Sequence, residues 1–190
     1  MRSMRWALTG VVLVLVSCGG GSSPTSTDAV AEVAYNVGDT GPGGGIIVYA
    51  DEAGFDYSGS DSESIGAICP TETCRYIEMA LTDLEGQYSW DDAIAAAAAF
   101  STPSANDWVL PSKDALNEMC KYAFGDTSNR KCNDEGNSRF TNSVGGFSND
   151  EYWSSSEIDV GNAWFQHFNY GYRLNSPKDY TYYVRPVRAF

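Results

Sequence analysis

The chain has 190 residues, 43% of them hydrophobic and 13% aromatic, with a formal net charge of −13. That length and apolar content suit one ordinary domain with a real core. The acidity argues against nucleic acid as a partner, because nucleic-acid recognition needs a basic footprint.

Arg2 and Arg5 open the chain, an apolar run from Trp6 to Val16 follows, and Leu15-Val16-Ser17-Cys18 closes it. A bilayer-spanning helix needs about 20 apolar residues, so residues 1–17 read as an export signal rather than a membrane anchor. The string Leu-Val-Ser-Cys resembles a bacterial lipobox, in which cleavage frees Cys18 to carry lipid. Gly19 then points to the outer membrane or cell surface of a bacterial envelope, with membrane contact through the lipid anchor only. Residues 18–34 are rich in Gly, Ser and Thr and read as a flexible tether. The ordered domain is expected over 35–190. Loss of Arg2 and Arg5 with the signal leaves the remainder more acidic still. A local basic spot would have to come from Arg173, Lys178, Arg185 and Arg188; a soluble acidic surface is the expectation.

Residues 36–49 place glycines ahead of a β-branched run, which predicts a turn leading into a strand. A dinucleotide loop would require a helix there, and a collagen repeat would require a sustained period of three. Residues 51–72 are polar and read as a loop, and Asp56, Asp61 and Glu63 lack the spacing of a calcium loop. Strand character runs from Cys74 to Leu81. Ser89 caps a helix through Phe100, with Asp91 and Asp92 at its positive end and an alanine run behind them. Ser112 caps a second helix, on which Leu116, Met119, Cys120 and Ala123 recur at helical spacing and which Gly125 ends. Strands are expected at Tyr152–Ser156, Asn162–Phe168 and Tyr180–Val187. In the middle one, Trp164, Gln166 and Phe168 share a face, and Phe165, His167 and Asn169 share the other. Trp164 and Phe168 are the expected core residues. Segments in this order imply an α+β fold.

Apart from Cys18 the cysteines are Cys69, Cys74, Cys120 and Cys132. Four cysteines in an exported chain suggest two disulfides. Three pairings are open, and short loops favour Cys69 with Cys74 and Cys120 with Cys132. Zinc spacing is missing, so no metal or cofactor is expected.

The sequence contains no nucleophile elbow, zinc-protease motif or phosphate loop. His167 is the single histidine, so any serine triad would have to use it. A pair of acids for glycoside cleavage stays open, with nothing to single out which two. Instead, Asn169, Tyr170, Tyr172, Arg173, Asn175, Asp179, Tyr180, Tyr182 and Tyr183 crowd one segment. Tyrosine and asparagine dominate evolved binding loops, because they offer contact area and adaptable hydrogen bonds at low entropic cost.

Four strings occur in order: Val37-Gly-Asp-Thr-Gly-Pro-Gly-Gly-Gly-Ile, Asp107-Trp-Val-Leu-Pro-Ser-Lys-Asp-Ala-Leu, Tyr152-Trp-Ser-Ser-Ser-Glu and Tyr183-Val-Arg-Pro-Val-Arg-Ala-Phe. Together they resemble the family of the C-terminal domain of the Legionella collagen-like protein, over essentially all of 36–190. The resemblance implies a C-type-lectin-like fold: a small twisted antiparallel sheet flanked by two helices, with the N- and C-terminal strands adjacent. It also implies a surface or secreted binding domain, adhesin-like or receptor-like, with an extracellular glycan or protein as ligand. The lectin calcium motif of Trp-Asn-Asp type is missing. Formylglycine-generating enzymes share a related fold, and free thiols would favour that class; a structural envelope lipoprotein is the third reading.

Some proteins of this fold are targets of diversity-generating retroelements, which randomise adenine-containing codons near the C-terminus. Related sequences are asparagine-rich where this chain has Asp159, Phe165, His167, Tyr170, Tyr172, Ser176, Asp179, Tyr180 and Tyr182. Each of these is reachable from an asparagine codon by changing adenines. With Asn162, Asn169 and Asn175 they make the candidate ligand-binding set within 159–182, and no catalytic residue is assigned.

Overall fold

A computed structural model describes residues 33–56, 68, 69, 73–125, 132 and 144–190. The export signal, Cys18, the tether up to residue 32, Asp61 and Glu63 lie outside the described residues. Ala34–Phe190 forms one unit. In chain order it runs β1 (Ile46–Asp56), β2 (Thr73–Met79), α1 (Trp90–Ala99), α2 (Lys113–Phe124), β3 (Glu151–Glu157), β4 (Asn162–His167), β5 (Arg173–Pro177) and β6 (Val187–Ala189). The class is α+β, with two antiparallel three-stranded sheets ordered β1-β2-β6 and β3-β4-β5.

Two sheets replace the single one expected, and β2 lies between the N- and C-terminal strands rather than leaving them adjacent. The ends still meet through side chains, with the Tyr35 and Phe190 rings 5.9 Å apart. The strand expected over 180–187 is broken. Tyr182 and Tyr183 make isolated bridges to Tyr88 and Tyr152, Arg185 turns inward, and Pro186 has no N–H to give a ladder. β1 runs on through Asp56, where a loop was expected. Buried Phe55 anchors that end opposite Cys74, and Gly54, at φ 81°, sits in the bulge that absorbs the extra residues.

Both helices start where their caps predict. Ser89 Oγ accepts from the Asp92 N–H, and Ser112 Oγ accepts from the Ala115 N–H at 3.2 Å. Gly125 closes α2 in the left-handed conformation at φ 65°. Each helix covers one face of the second sheet. α2 packs Leu116, Met119 and Cys120 in a core with Tyr152 and Phe168. α1 packs Trp90, Ala93 and Ala97 with Trp153, Ala163 and Phe165. Phe168 is therefore core as expected, but Trp164 is half-buried beneath the Lys113 ammonium, 4.6 Å from the ring centre.

The four quoted strings turn out to build the interior. Glu78 is fully buried; its carboxylate accepts from the Gly43 and Gly45 N–H groups and from Arg188 Nη1 at 3.0 Å. A Cβ on Gly41 would sit 2.5 Å from the Glu78 carboxyl carbon, and one on Gly45 would sit 2.1 Å from the Met79 carbonyl oxygen. The glycine turn is thus a wrapping around a carboxylate. Asp107 takes the other side of Arg188 through two hydrogen bonds of 2.7 and 3.0 Å. Those bonds and the guanidinium charge hold its carboxyl below the usual range. Arg185, 1% exposed, donates to Asp83 and to the carbonyls of Ala80, Leu81, Gly145 and Gly146. Tyr152 Oη donates to the same Asp83 at 2.6 Å. Ser156 Oγ accepts from the Lys113 N–H, and Ser154 Oγ donates to the Trp164 carbonyl. The disulfides join Cys69 to Cys74 and Cys120 to Cys132, the short-loop pairing.

Candidate functional site: the aromatic face of the second sheet

Register decides which side chains meet. Glu151 lies opposite His167, Trp153 opposite Phe165, Phe165 opposite Leu174, and Ala163 opposite Ser176. Alternation puts all of them on one face. The Ala163–Phe165 part lies under α1, Tyr182 and Val184. The end carrying Glu151, His167 and Leu174 continues into the turn with Tyr170 and Tyr172 and reaches solvent.

There the rings assemble. Tyr170 and Tyr172 are 37% and 42% exposed, with centroids 5.8 Å apart and planes within 12° of parallel. His167 sits 4.9 Å from the first and 5.0 Å from the second. Gly171, at φ 73°, makes the tight turn between them, and its carbonyl accepts from buried Gln166 Nε2 at 2.6 Å. The Asn169 N–H donates to His167 Nδ1 at 3.0 Å, which leaves the imidazole proton on Nε2. Nε2 points toward Glu151 Oε1 at 3.6 Å, beyond hydrogen-bond reach.

The charges are of one sign. A hydrogen bond to the Asp150 carboxyl, partial burial and the Asp150 charge push Glu151 up to about 7. Burial lowers His167, against the opposing pull of Asp150, so the imidazole is neutral at pH 7. Burial raises both Tyr172 and Tyr182, and the Glu151 charge adds to each.

The expected ligand-binding residues divide. Tyr170, Tyr172, Asp159, Asn175, Asp179 and Tyr180 are exposed, and Asn162, Asn169 and Tyr182 are half-buried. Phe165, His167 and Ser176 are buried. Phe165 is a core residue rather than part of an open face, because the Tyr182 ring folds over it with centroids 5.0 Å apart. Ser176 shares a 2.9 Å hydrogen bond with Tyr182 Oη. Asn175 lies opposite Trp164, which puts it on the other face. Asp159 and Asn162 belong to the β3–β4 turn, where Asp159 accepts from Asn162 Nδ2 and from the Gly161 N–H. That turn lies at the far end of β4 from His167, about 16 Å away at 3.3 Å per residue. Lys178 joins it through the Gly161 carbonyl, so Asp179 and Tyr180 follow at that end too.

Reading the sequence missed Asp150, Glu151 and Leu174. Their place depends on the β3–β4–β5 register, which no local pattern gives. An acid pair directly ahead of the Tyr152-Trp153 strand was the available signal.

The four residues from which a basic spot would have had to come are each paired with a carboxylate. Arg173 binds Asp114, Lys178 binds Glu157, Arg185 binds Asp83, and Arg188 binds Glu78 and Asp107. Two apolar grooves lie elsewhere. One, of about 460 Å³, is lined by Val37, Val48, Tyr49, Tyr122 and Val144; the other, of about 370 Å³, by Ile94, Ala98, Val109 and Leu110. The charged groups that also line them are already paired, Glu118 with Lys121 in the first and Asp107 with Arg188 in the second, so the aromatic end is the better candidate despite its shallowness. Among the described residues no group of three or more His, Cys, Asp or Glu is placed to hold a metal.

One family model matches, that of the Lcl C-terminal domain, over residues 69–188. No curated protein matches the chain.

Proposed function

The chain belongs to the Lcl C-terminal domain family, and from that premise we propose that it is a ligand-binding domain of adhesin or receptor type. It is carried on a lipid-anchored chain at the surface of a bacterial envelope, and its ligand is an extracellular glycan or protein. The observation that carries this reading is the exposed, nearly parallel Tyr170–Tyr172 pair, held in register by a tight turn and a buried glutamine. Paired tyrosines with a fixed backbone present amphipathic area with little entropy left to lose.

The C-type-lectin-like fold and retroelement diversification within 159–182 belong to the same reading. The exposure of Asp159, Tyr170, Tyr172, Asp179 and Tyr180 supports it, because exchange at exposed positions leaves the core intact. Burial of Phe165, His167 and Ser176 narrows the freely variable set. Disulfide pairing of Cys69, Cys74, Cys120 and Cys132 favours a binder over an oxidase that works through free thiols.

The test is binding of the chain to arrays of surface glycans and proteins, beside a variant with alanine at Tyr170 and Tyr172. Binding that vanishes in the folded variant supports the reading. Equal binding by both versions moves the ligand site off this face.

A further inference from the structure

We propose that the Tyr170–Tyr172 end of the second sheet recognises a cationic side chain, an arginine or lysine of a protein partner, stacked on the Tyr172 ring and paired with Glu151 and Asp150. This rests on the reading that the face binds a ligand, and it names the ligand's chemistry.

Three independent features point to a cation. The faces of tyrosine rings carry negative potential and attract guanidinium and ammonium groups. Tyr172, 42% exposed, presents such a face, and Tyr170 stacks nearly parallel to it. Next, Glu151 and Asp150 stand beside them, and among the described residues no lysine or arginine pairs with either. The basic side chains of β5 and the residue after it, Arg173 and Lys178, are held by Asp114 and Glu157. The third is His167, 8% exposed, whose Nε2–H is directed at Glu151 from 3.6 Å without completing a hydrogen bond. The imidazole is neutral, so it adds no positive charge that would compete with an incoming cation.

Among the described residues, the titratable groups facing Glu151 are Asp150 just before its strand, His167 on β4, Tyr172 after the following turn, and Tyr182 on the C-terminal segment. None brings a positive charge at neutral pH. A cation docked here favours ionised Glu151 over its protonated form, so binding releases a proton and weakens as the solution is acidified. The net charge of −13 steers cationic partners toward the molecule from a distance.

The experiment titrates the full chain calorimetrically with an oligo-arginine peptide, a length-matched oligo-glutamate peptide and a neutral maltooligosaccharide, at pH 6 and pH 8. Oligo-arginine is expected to bind more tightly at pH 8, and oligo-glutamate not to bind. Glu151→Gln and Tyr172→Ala are each expected to weaken oligo-arginine about tenfold, the size of one desolvated cation–π or charge contact. Asp91→Asn, on the exposed first turn of α1, removes the same charge elsewhere and leaves binding unchanged. Equal weakening by Asp91→Asn, or no weakening by Glu151→Gln and Tyr172→Ala, overturns the proposal. If array ligands need the tyrosines while oligo-arginine does not bind, the cation assignment falls and the ligand-binding face stands. If no ligand depends on the tyrosines, both fall.

Discussion

A fully buried glutamate is tolerable only when its oxygens are occupied, and Glu78 shows how local sequence arranges that. Two glycine N–H groups and one guanidinium reach it because no Cβ stands in the way. Replacing Glu78 with Ala strips Arg188 of one partner and leaves two buried N–H groups unpaired. The expected loss is about 3–5 kcal/mol, read by urea denaturation. The titrating residues of the aromatic end oppose one another. Glu151 is raised, so its stabilising contribution is complete below the ordinary 4.5 and is lost as pH rises through about 7. His167 is lowered, so its contribution is present above 6.5 and is lost as pH falls. Stability measured from pH 4 to 8 should decline less with rising pH in Glu151→Gln than in the parent. Asp107, held low by Arg188, adds stability above its ordinary 3.8 that vanishes in stronger acid.

At the level of elements, the helices stand on caps and disulfides. Ser112→Ala removes the N-cap of α2 and should lower stability by about 1 kcal/mol. Replacing Cys120 and Cys132 with Ser opens a loop of twelve residues and should cost about 3 kcal/mol on the chain-entropy account. Thermal or denaturant melts of the two variants check both values. These elements were also the legible ones. Serine before an apolar period and glycine after it act within a few residues, so Ser89, Ser112 and Gly125 announce the helix ends. β5 was hidden, because Arg173-Leu-Asn-Ser-Pro carries no apolar alternation and owes its pairing to β4. The expected strand over 180–187 failed for a related reason. Tyr182 and Tyr183 have strand composition, but their partners, Tyr88 and Tyr152, lie far apart in the sequence. The site divided along the same line: the exposure of Tyr170 and Tyr172 follows from a turn, while the burial of Phe165 follows from Tyr182 arriving from another segment.

Across the whole molecule, the strings that mark the family supply core residues such as Trp108, Tyr152, Trp153 and Arg185, while the tyrosines of the aromatic end are exposed. The separation predicts separable mutants. Joint replacement of Tyr170 and Tyr172 by alanine should leave the melting temperature within a few degrees of the parent, while Phe165→Ala should cost about 3–5 kcal/mol. Circular dichroism melts of the two variants decide it. The segment joining these regions is the C-terminal one. Its backbone is bonded in turn to Tyr88, to Glu151 and Trp153, to Leu84, to Ala80, to Val109 and to Tyr76. Mechanically it is a strap sewn along its length to both sheets. A tug on the aromatic end against the N-terminal sheet would therefore draw on these stitches side by side, in shear, instead of peeling them one after another.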